Sequence, residues 1–186
     1  MIFAWFAIAL LVALSLAVIF LYNGLVSKRQ MVEEGWSGID VQLKRRANLV
    51  PNLVETVKGY ASHEQDALNA VTEKRTQVTS MSRDDVAGRA QAEGELTQAL
   101  GRLLAVAEAY PDLKASQNFS DLHRSLDEIE NAIQMSRRYY NGAVRGLNIA
   151  VESFPSNLVA SQFNFEKAEY FEIEDEAERA VPTVTF

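Results

Sequence analysis

Residues 1–22, "MIFAWFAIALLVALSLAVIFLY", carry one polar side chain, Ser15. Twenty-two helical residues cover about 33 Å, enough to cross a hydrocarbon layer of about 30 Å. A cleavable secretory leader would begin with basic residues, carry a shorter apolar run and end at a small-x-small site. Nothing basic precedes this run, and "YNGLVSKRQ" after it is a poor cleavage site. The segment therefore reads as a retained transmembrane helix. Beyond it, Tyr22, Leu25, Val32, Trp36, Ile39, Leu43, Val50, Leu53, Val57, Tyr60, Val71 and Val78 recur on an alternating three-four spacing. Arg29, Arg46, Glu64, Ala67 and Lys74 occupy the remaining slots. Seven-residue repetition sustained this far predicts one long helix with a coiled-coil-like seam. It would run from about residue 2 to about residue 79, near 115 Å at the helical rise.

Pro51 falls inside that pattern, yet the phase does not reset across it. The expectation is a helix that continues through the proline, loses the hydrogen bond to the Ala47 carbonyl and kinks, at about 3 kcal/mol locally. Two helices meeting at residues 48–51 are the alternative. Lys44 and Arg45 are expected to face solvent, with Arg46 laying its methylenes along the seam. Glu64 takes a seam slot, where a lone buried carboxylate is costly. An interhelical ion pair with Arg137 or Arg75 is expected there, and Arg46 is a further ion-pair candidate. No neighbouring constellation supports Glu64 as a general acid or base.

Further along, Ser82 is a candidate cap and Asp85 supplies an acid three positions later, opening a helix to about residue 109 that is rich in small residues. "YPDLKASQNFS" breaks the pattern. A third helix begins near Phe119, with Asn118 as a candidate cap, and Pro155 stops it. Its apolar stripe runs through Leu122, Leu126, Ile129, Ile133, Tyr140, Val144, Leu147, Val151 and Phe154. Asn131, Asn141 and Asn148 lie near the stripe, where they are candidates for interhelical hydrogen bonds. A shorter helix is expected over about residues 156–167. The whole pattern is all-α.

Charge adds orientation and a tail. Lys28 and Arg29 follow the apolar run and only the α-amine precedes it. The positive-inside rule then places the N-terminus outside and the body in the cytoplasm. Lys28, Arg29, Lys44, Arg45 and Arg46 form a short basic patch that can meet anionic lipid headgroups, each contributing about 1 kcal/mol near the surface. Residues 166–186 carry seven acids (Glu166, Glu169, Glu172, Glu174, Asp175, Glu176, Glu178) against Lys167 and Arg179, and end in the β-prone "VPTVTF". An acidic tail reads first as a solvated face. A contact with the basic patch of a neighbouring subunit is the other reading.

Little catalytic chemistry is available. The chain has no cysteine, which excludes disulfides, thiolate catalysis and zinc-thiolate sites. His63–Glu64 opens a metalloprotease-like HExxH string, but position 67 is Ala67, and the other histidine is His123. No phosphate-cradling glycine motif is present. No nucleophile triad can be supported from sequence order. The net charge of −7 argues against nucleic acid as a partner. Catalytic residues, metal and cofactor are therefore all expected to be absent.

"YNGLVSKRQMVEEGWSGIDVQLKRRANLVPNLVETVKGYASHE", "YPDLKA", "ENAIQMSRRYYNGAVRGLNIAVESFPSN" and the terminal "VPTVTF" closely resemble the LemA family, in order and over nearly the whole chain. The resemblance implies one transmembrane helix (1–22) continuing into the long helix of an antiparallel four-helix bundle (23–165), followed by the acidic C-terminal segment (166–186). It also implies a bacterial cytoplasmic (inner) membrane location with an outside N-terminus. It supplies no catalytic residues. Relatives in magnetic bacteria take part in forming magnetosome membranes, and others are encoded beside the HtpX membrane metalloprotease or TPM-domain proteins.

Two non-enzymatic functions follow. The first is a membrane-anchored scaffold that self-associates, because three shorter helices would leave the apolar stripe of residues 22–47 uncovered. The second is an adaptor for a membrane protease of the HtpX kind or another integral membrane protein. An enzyme is the third and weakest reading.

Overall fold

The computed structural model describes residues 1–172. Its elements are α1 (Ile2–Tyr60), α2 (Gln65–Ser80), α3 (Val86–Glu108), α4 (Pro111–Lys114), α5 (Gln117–Glu152) and α6 (Ser156–Gln162). Helices make up 84% of the described residues, without a strand among them. Of the acidic segment, residues 173–186, including "VPTVTF", lie outside the described residues.

α1 passes through Pro51 without interruption. It ends at Tyr60, however, short of the expected residue 79. The Ala61 N–H closes the last helical turn on the Val57 carbonyl, and the Glu64 N–H donates to the Ala61 carbonyl at 3.1 Å. α2 then begins as a separate helix. The three-four spacing carried across this turn by coincidence. Between Val57 and Val71 its slots hold Tyr60, Glu64 and Ala67, none a strong apolar anchor, so nothing there requires a continuous helix.

The N-terminal stretch of α1 is left uncovered by the rest of the described chain. Every residue over 2–20 is exposed, and this stretch is long and apolar enough to cross a membrane. Ser15 donates its hydroxyl to the Leu11 carbonyl at 2.9 Å, so the one polar side chain is satisfied within the helix.

The described chain forms two compact units, Met1–Gly38 with Ser136–Tyr170, and Ile39–Met135 with the segment from Phe171. In the second unit one core draws Val50, Leu53, Val57 and Ala61 from α1 and its end, and Leu68, Val71 and Val78 from α2. Ala92, Leu96, Ala99, Leu100, Leu103 and Ala107 of α3 join them, with Leu113 of α4 and Phe119 and Leu126 of α5. Fully burying one such aliphatic or aromatic side chain contributes about 1.5–3 kcal/mol. α3 starts at Val86 rather than Ser82 because Asp85 is its cap, accepting from the Gly88 N–H at 2.9 Å. Where a break was expected, Pro111 opens the four-residue α4, a position that tolerates its missing N–H.

In the first unit, a Cβ on Gly35 would come within 3.0 Å of Tyr140 Cα, so α1 and α5 approach through the missing side chain. Trp36 lies beside Tyr140 at 5.6 Å between ring centroids. Val159 and Ala160 of α6 pack on Leu25, with Leu21, Tyr22, Val26, Ala150 and Val151 around them. α6 stops at Gln162, not at residue 167. Asn164 takes φ 54, and the Phe165 N–H returns to the Ala160 carbonyl at 2.9 Å. This is a Schellman-type end with asparagine in the left-handed position. The chain then runs extended. Asn148 brackets Ala168, accepting from its N–H at 2.9 Å and donating to its carbonyl at 3.0 Å. The Tyr140 hydroxyl donates to the Glu169 carbonyl at 2.8 Å.

This packing corrects the expected bare stripe. Leu25, Val32, Trp36, Ile39, Leu43 and Ala47 are all buried by their own chain. In the first unit α6 and the extended segment provide cover that three helices alone would not.

Candidate functional site

Four charged side chains are buried among the described residues: Asp40, Arg46, Arg89 and Glu93, all in the second unit. α1 supplies Asp40, Lys44 and Arg46. α3 supplies Arg89, Glu93 and Thr97 at four-residue spacing, hence on one face. Arg46 is 0% exposed and pairs with Glu93, also 0% exposed, and with Glu130 of α5. It also donates to the Thr97 hydroxyl at 2.8 Å and the Glu93 carbonyl at 3.2 Å. Beside this group Asp40 binds Arg89 and Lys44, each at 2.7 Å. A cleft of about 280 Å³ opens next to Asp40, Leu43, Lys44, Val78 and Arg89.

The electrostatics follow from burial. Burial works against charge on Arg46, but the Glu130 and Glu93 carboxylates outweigh it and hold its pKa above the usual value. Burial dominates for Glu93 and pushes its pKa up, against the pull of Arg46. Asp40 is also penalised by burial, yet Lys44 and Arg89 bring its pKa below the ordinary carboxylate value. Two buried carboxylates are thus held by three cations, and the pairs tie α1 to α3 and α5. No group of three or more His, Cys, Asp or Glu side chains suited to a metal occurs among the described residues.

Pro51 has its own polar partner. The Ala47 carbonyl, deprived of its helical donor, accepts instead from Arg75 Nε at 2.8 Å. Arg75 is therefore engaged away from Glu64. The expected pair fails for a second reason: Glu64 caps α2 rather than lying in a seam, and Arg75 is three turns along that same helix. Glu64 accepts from the Tyr110 hydroxyl at 3.0 Å, and raises the Tyr110 pKa. Arg137 belongs to the first unit, on α5.

The proposed lipid-facing cations are distributed differently. The Arg29 guanidinium sits 5.1 Å from the centre of the Phe165 ring, a cation–π arrangement. Lys28 lines a cleft of about 400 Å³ with Met31, Arg138, Tyr139 and Gly142. Arg45 is exposed and bonds Gln42 at 3.0 Å, while Lys44 holds Asp40. Arg46 does not belong with them, because it is fully enclosed.

The residues that sequence reading missed are Asp40, Arg89, Glu93, Thr97 and Glu130. On α3 a signal was present: Arg89, Glu93 and Thr97 recur every fourth residue on an alanine-rich helix.

The family pattern of LemA matches residues 35–186. The chain is 29% identical over 175 residues to magnetosome protein MamQ 2 of Paramagnetospirillum magneticum, covering 81% of this chain and 64% of that protein. It is 26% identical to magnetosome protein MamQ of Magnetospirillum gryphiswaldense, over 87% of this chain and 68% of the relative. Protein LemA of Metamycoplasma hominis is 23% identical, with 81% and 68% covered. The chain thus spans just under two thirds of the length of the MamQ 2 relative. With the family pattern matched over residues 35–186, the chain belongs to the LemA family.

Proposed function

We propose that this chain is a non-enzymatic, membrane-anchored helical scaffold. The start of α1 crosses the bacterial cytoplasmic membrane once, and the second unit is an antiparallel four-helix bundle of α1, α2, α3 and α5. One observation carries the reading. Within a single uninterrupted helix, residues 2–20 are apolar but for Ser15 and wholly exposed, and from Leu25 the same helix becomes core. Leaving that many apolar side chains in water forgoes roughly 1.5–3 kcal/mol for each large one, which a bilayer recovers.

Partner residues support the bundle. Asp40–Arg89 and Arg46–Glu93 pair α1 with α3 in ascending order, whereas Arg46–Glu130 and Thr56–Asn118 pair α1 with α5 in descending order. Kinship with proteins named for the magnetosome is consistent with a membrane role. Lys28 and Arg29 support an outside N-terminus and a cytoplasmic body.

With the seam buried, copies of the chain meet through the anchor in the membrane plane, and an integral membrane protease is the competing partner. Photo-crosslinkers placed at Leu11 and Leu14 in native membranes separate them. Self-crosslinks support the scaffold, and crosslinks to one other integral protein favour the adaptor. Release of the full chain by an alkaline carbonate wash overturns the anchored reading altogether.

A further inference from the structure

We propose that the corner joining α5 to α6, led by Phe154 and Leu158, dips into the lipid interface beside the anchor and gives the first unit a second membrane contact. The inference rests on the reading of α1 as a bilayer-spanning helix. Phe154 is 80% exposed and Leu158 62% exposed. The other side of α6 is buried, through Val159 and Ala160 against Leu25. The two large apolar side chains therefore stand on a fixed element with nothing of their own unit over them.

Height places the corner. α1 and α5 run in opposite directions in this unit, with Gly35 against Tyr140 and the Lys28 ammonium over Gly146. Continuing that register to the end of α5 brings Glu152 level with Asn23, and Phe154 follows two residues on, toward the last turn of the apolar run. Aromatic contacts agree: Tyr22 meets Phe163 at 4.9 Å and Phe165 at 5.6 Å, both edge-on. Tyrosine, with its polar tip, collects at the membrane–water boundary. Lys28 and Arg29 follow about two turns higher on α1, at headgroup height.

Composition fits the same surroundings. Residues 153–165, "SFPSNLVASQFNF", contain no charged side chain, in a chain that is 23% charged. The Ser156 hydroxyl lies within hydrogen-bond distance of the Ala150 and Ser153 carbonyls, at 2.7 and 2.9 Å, and the Asn157 N–H donates to the Ser153 carbonyl at 2.7 Å. These bonds meet part of the corner's polar demand, while the buried Asn157 Oδ1 has no partner, so the corner suits the interface rather than the hydrocarbon interior. The occupant is the bilayer itself, and a second protein is the competing outcome.

The chain lacks cysteine, so single spin labels at Phe154→Cys, Leu158→Cys, Leu14→Cys and Met135→Cys test this in the full-length protein. The bilayers are mixed phosphatidylcholine and phosphatidylglycerol, with oxygen and a water-soluble nickel chelate as collision partners. Labels at 154 and 158 are expected to favour oxygen over nickel, as at 14, while 135 favours nickel. Lipid-like values at 14 with nickel access at 154 and 158 would remove the second contact and leave the span intact. Nickel access at 14 would remove both. Shielding of 154 and 158 from both reagents would assign the corner to a protein partner and overturn the proposal.

Discussion

The Nε of Arg75 donates to the carbonyl of Ala47 at 2.8 Å, and that carbonyl is the one Pro51 leaves without a helical donor. A proline in mid-helix removes one hydrogen bond and crowds the preceding turn. Here a side chain from α2 replaces the missing donor, and α1 stays helical through Pro51.

That replacement predicts coupling between positions 51 and 75. Arg75→Met leaves the Ala47 carbonyl without a donor and lowers stability by about 1–2 kcal/mol. In a Pro51→Ala background the backbone supplies the donor again, and the same change costs about 0.5 kcal/mol. Urea denaturation of the four proteins of the cycle reads the difference.

Arg46 offers a harsher test. Arg46→Leu strands a fully buried Glu93, at about 3–5 kcal/mol. Adding Glu93→Leu removes the stranded charge and returns part of the loss, so the double variant is more stable than Arg46→Leu alone. Denaturation midpoints measure both.

Two glycines one helical turn apart separate close packing from helix propensity. At Gly35 a Cβ meets Tyr140 backbone at 3.0 Å and Tyr139 at 3.2 Å, whereas at Gly38 nothing lies within 4 Å. Gly35→Ala should destabilise by about 1–3 kcal/mol. Gly38→Ala should stabilise by about 0.5–1 kcal/mol. Thermal melts followed by helical dichroism check the opposite signs.

Tyr140 sets an alkaline limit. Burial and the nearby Glu169 raise its pKa from 10.0 to about 12, so the folded state holds this proton more tightly than the unfolded chain. The contribution is complete below pH 10 and is lost as pH rises toward about 12, amounting to about 2 kcal/mol. Wild type should lose more stability than Tyr140→Phe across that interval in denaturation measured at stepped pH.

Much of this arrangement was readable from residue spacing. The passage of α1 through Pro51 followed from an undisturbed apolar phase, and the all-helical character from the stripes on α1 and α5. The turn after Tyr60 was hidden because Glu64 and Ala67 happen to sit in phase while anchoring nothing. The end of α6 lay in one asparagine, Asn164, whose left-handed backbone could not be told from a helical residue by apolar spacing. The buried partners of Arg46 were missed for a different reason. Hydrophobic periodicity places Arg46 at the seam but names no partner for it and passes over Glu93, and the packing of α1, α3 and α5 brings the charges together. The covered stripe of α1 depended on α6 and the extended segment folding back, which is tertiary information.

On the proposed reading, one helix passes from lipid into protein surroundings along its length. Single cysteines stepped through residues 4–34 of the full chain in native membranes, challenged with a membrane-impermeant maleimide, test it most directly. Protection is expected from about residue 4 to about residue 21, with labelling at exposed Gln30 and Glu33 from the side that holds the body. Ready labelling at Leu11 or Leu14 from the aqueous phase would contradict it.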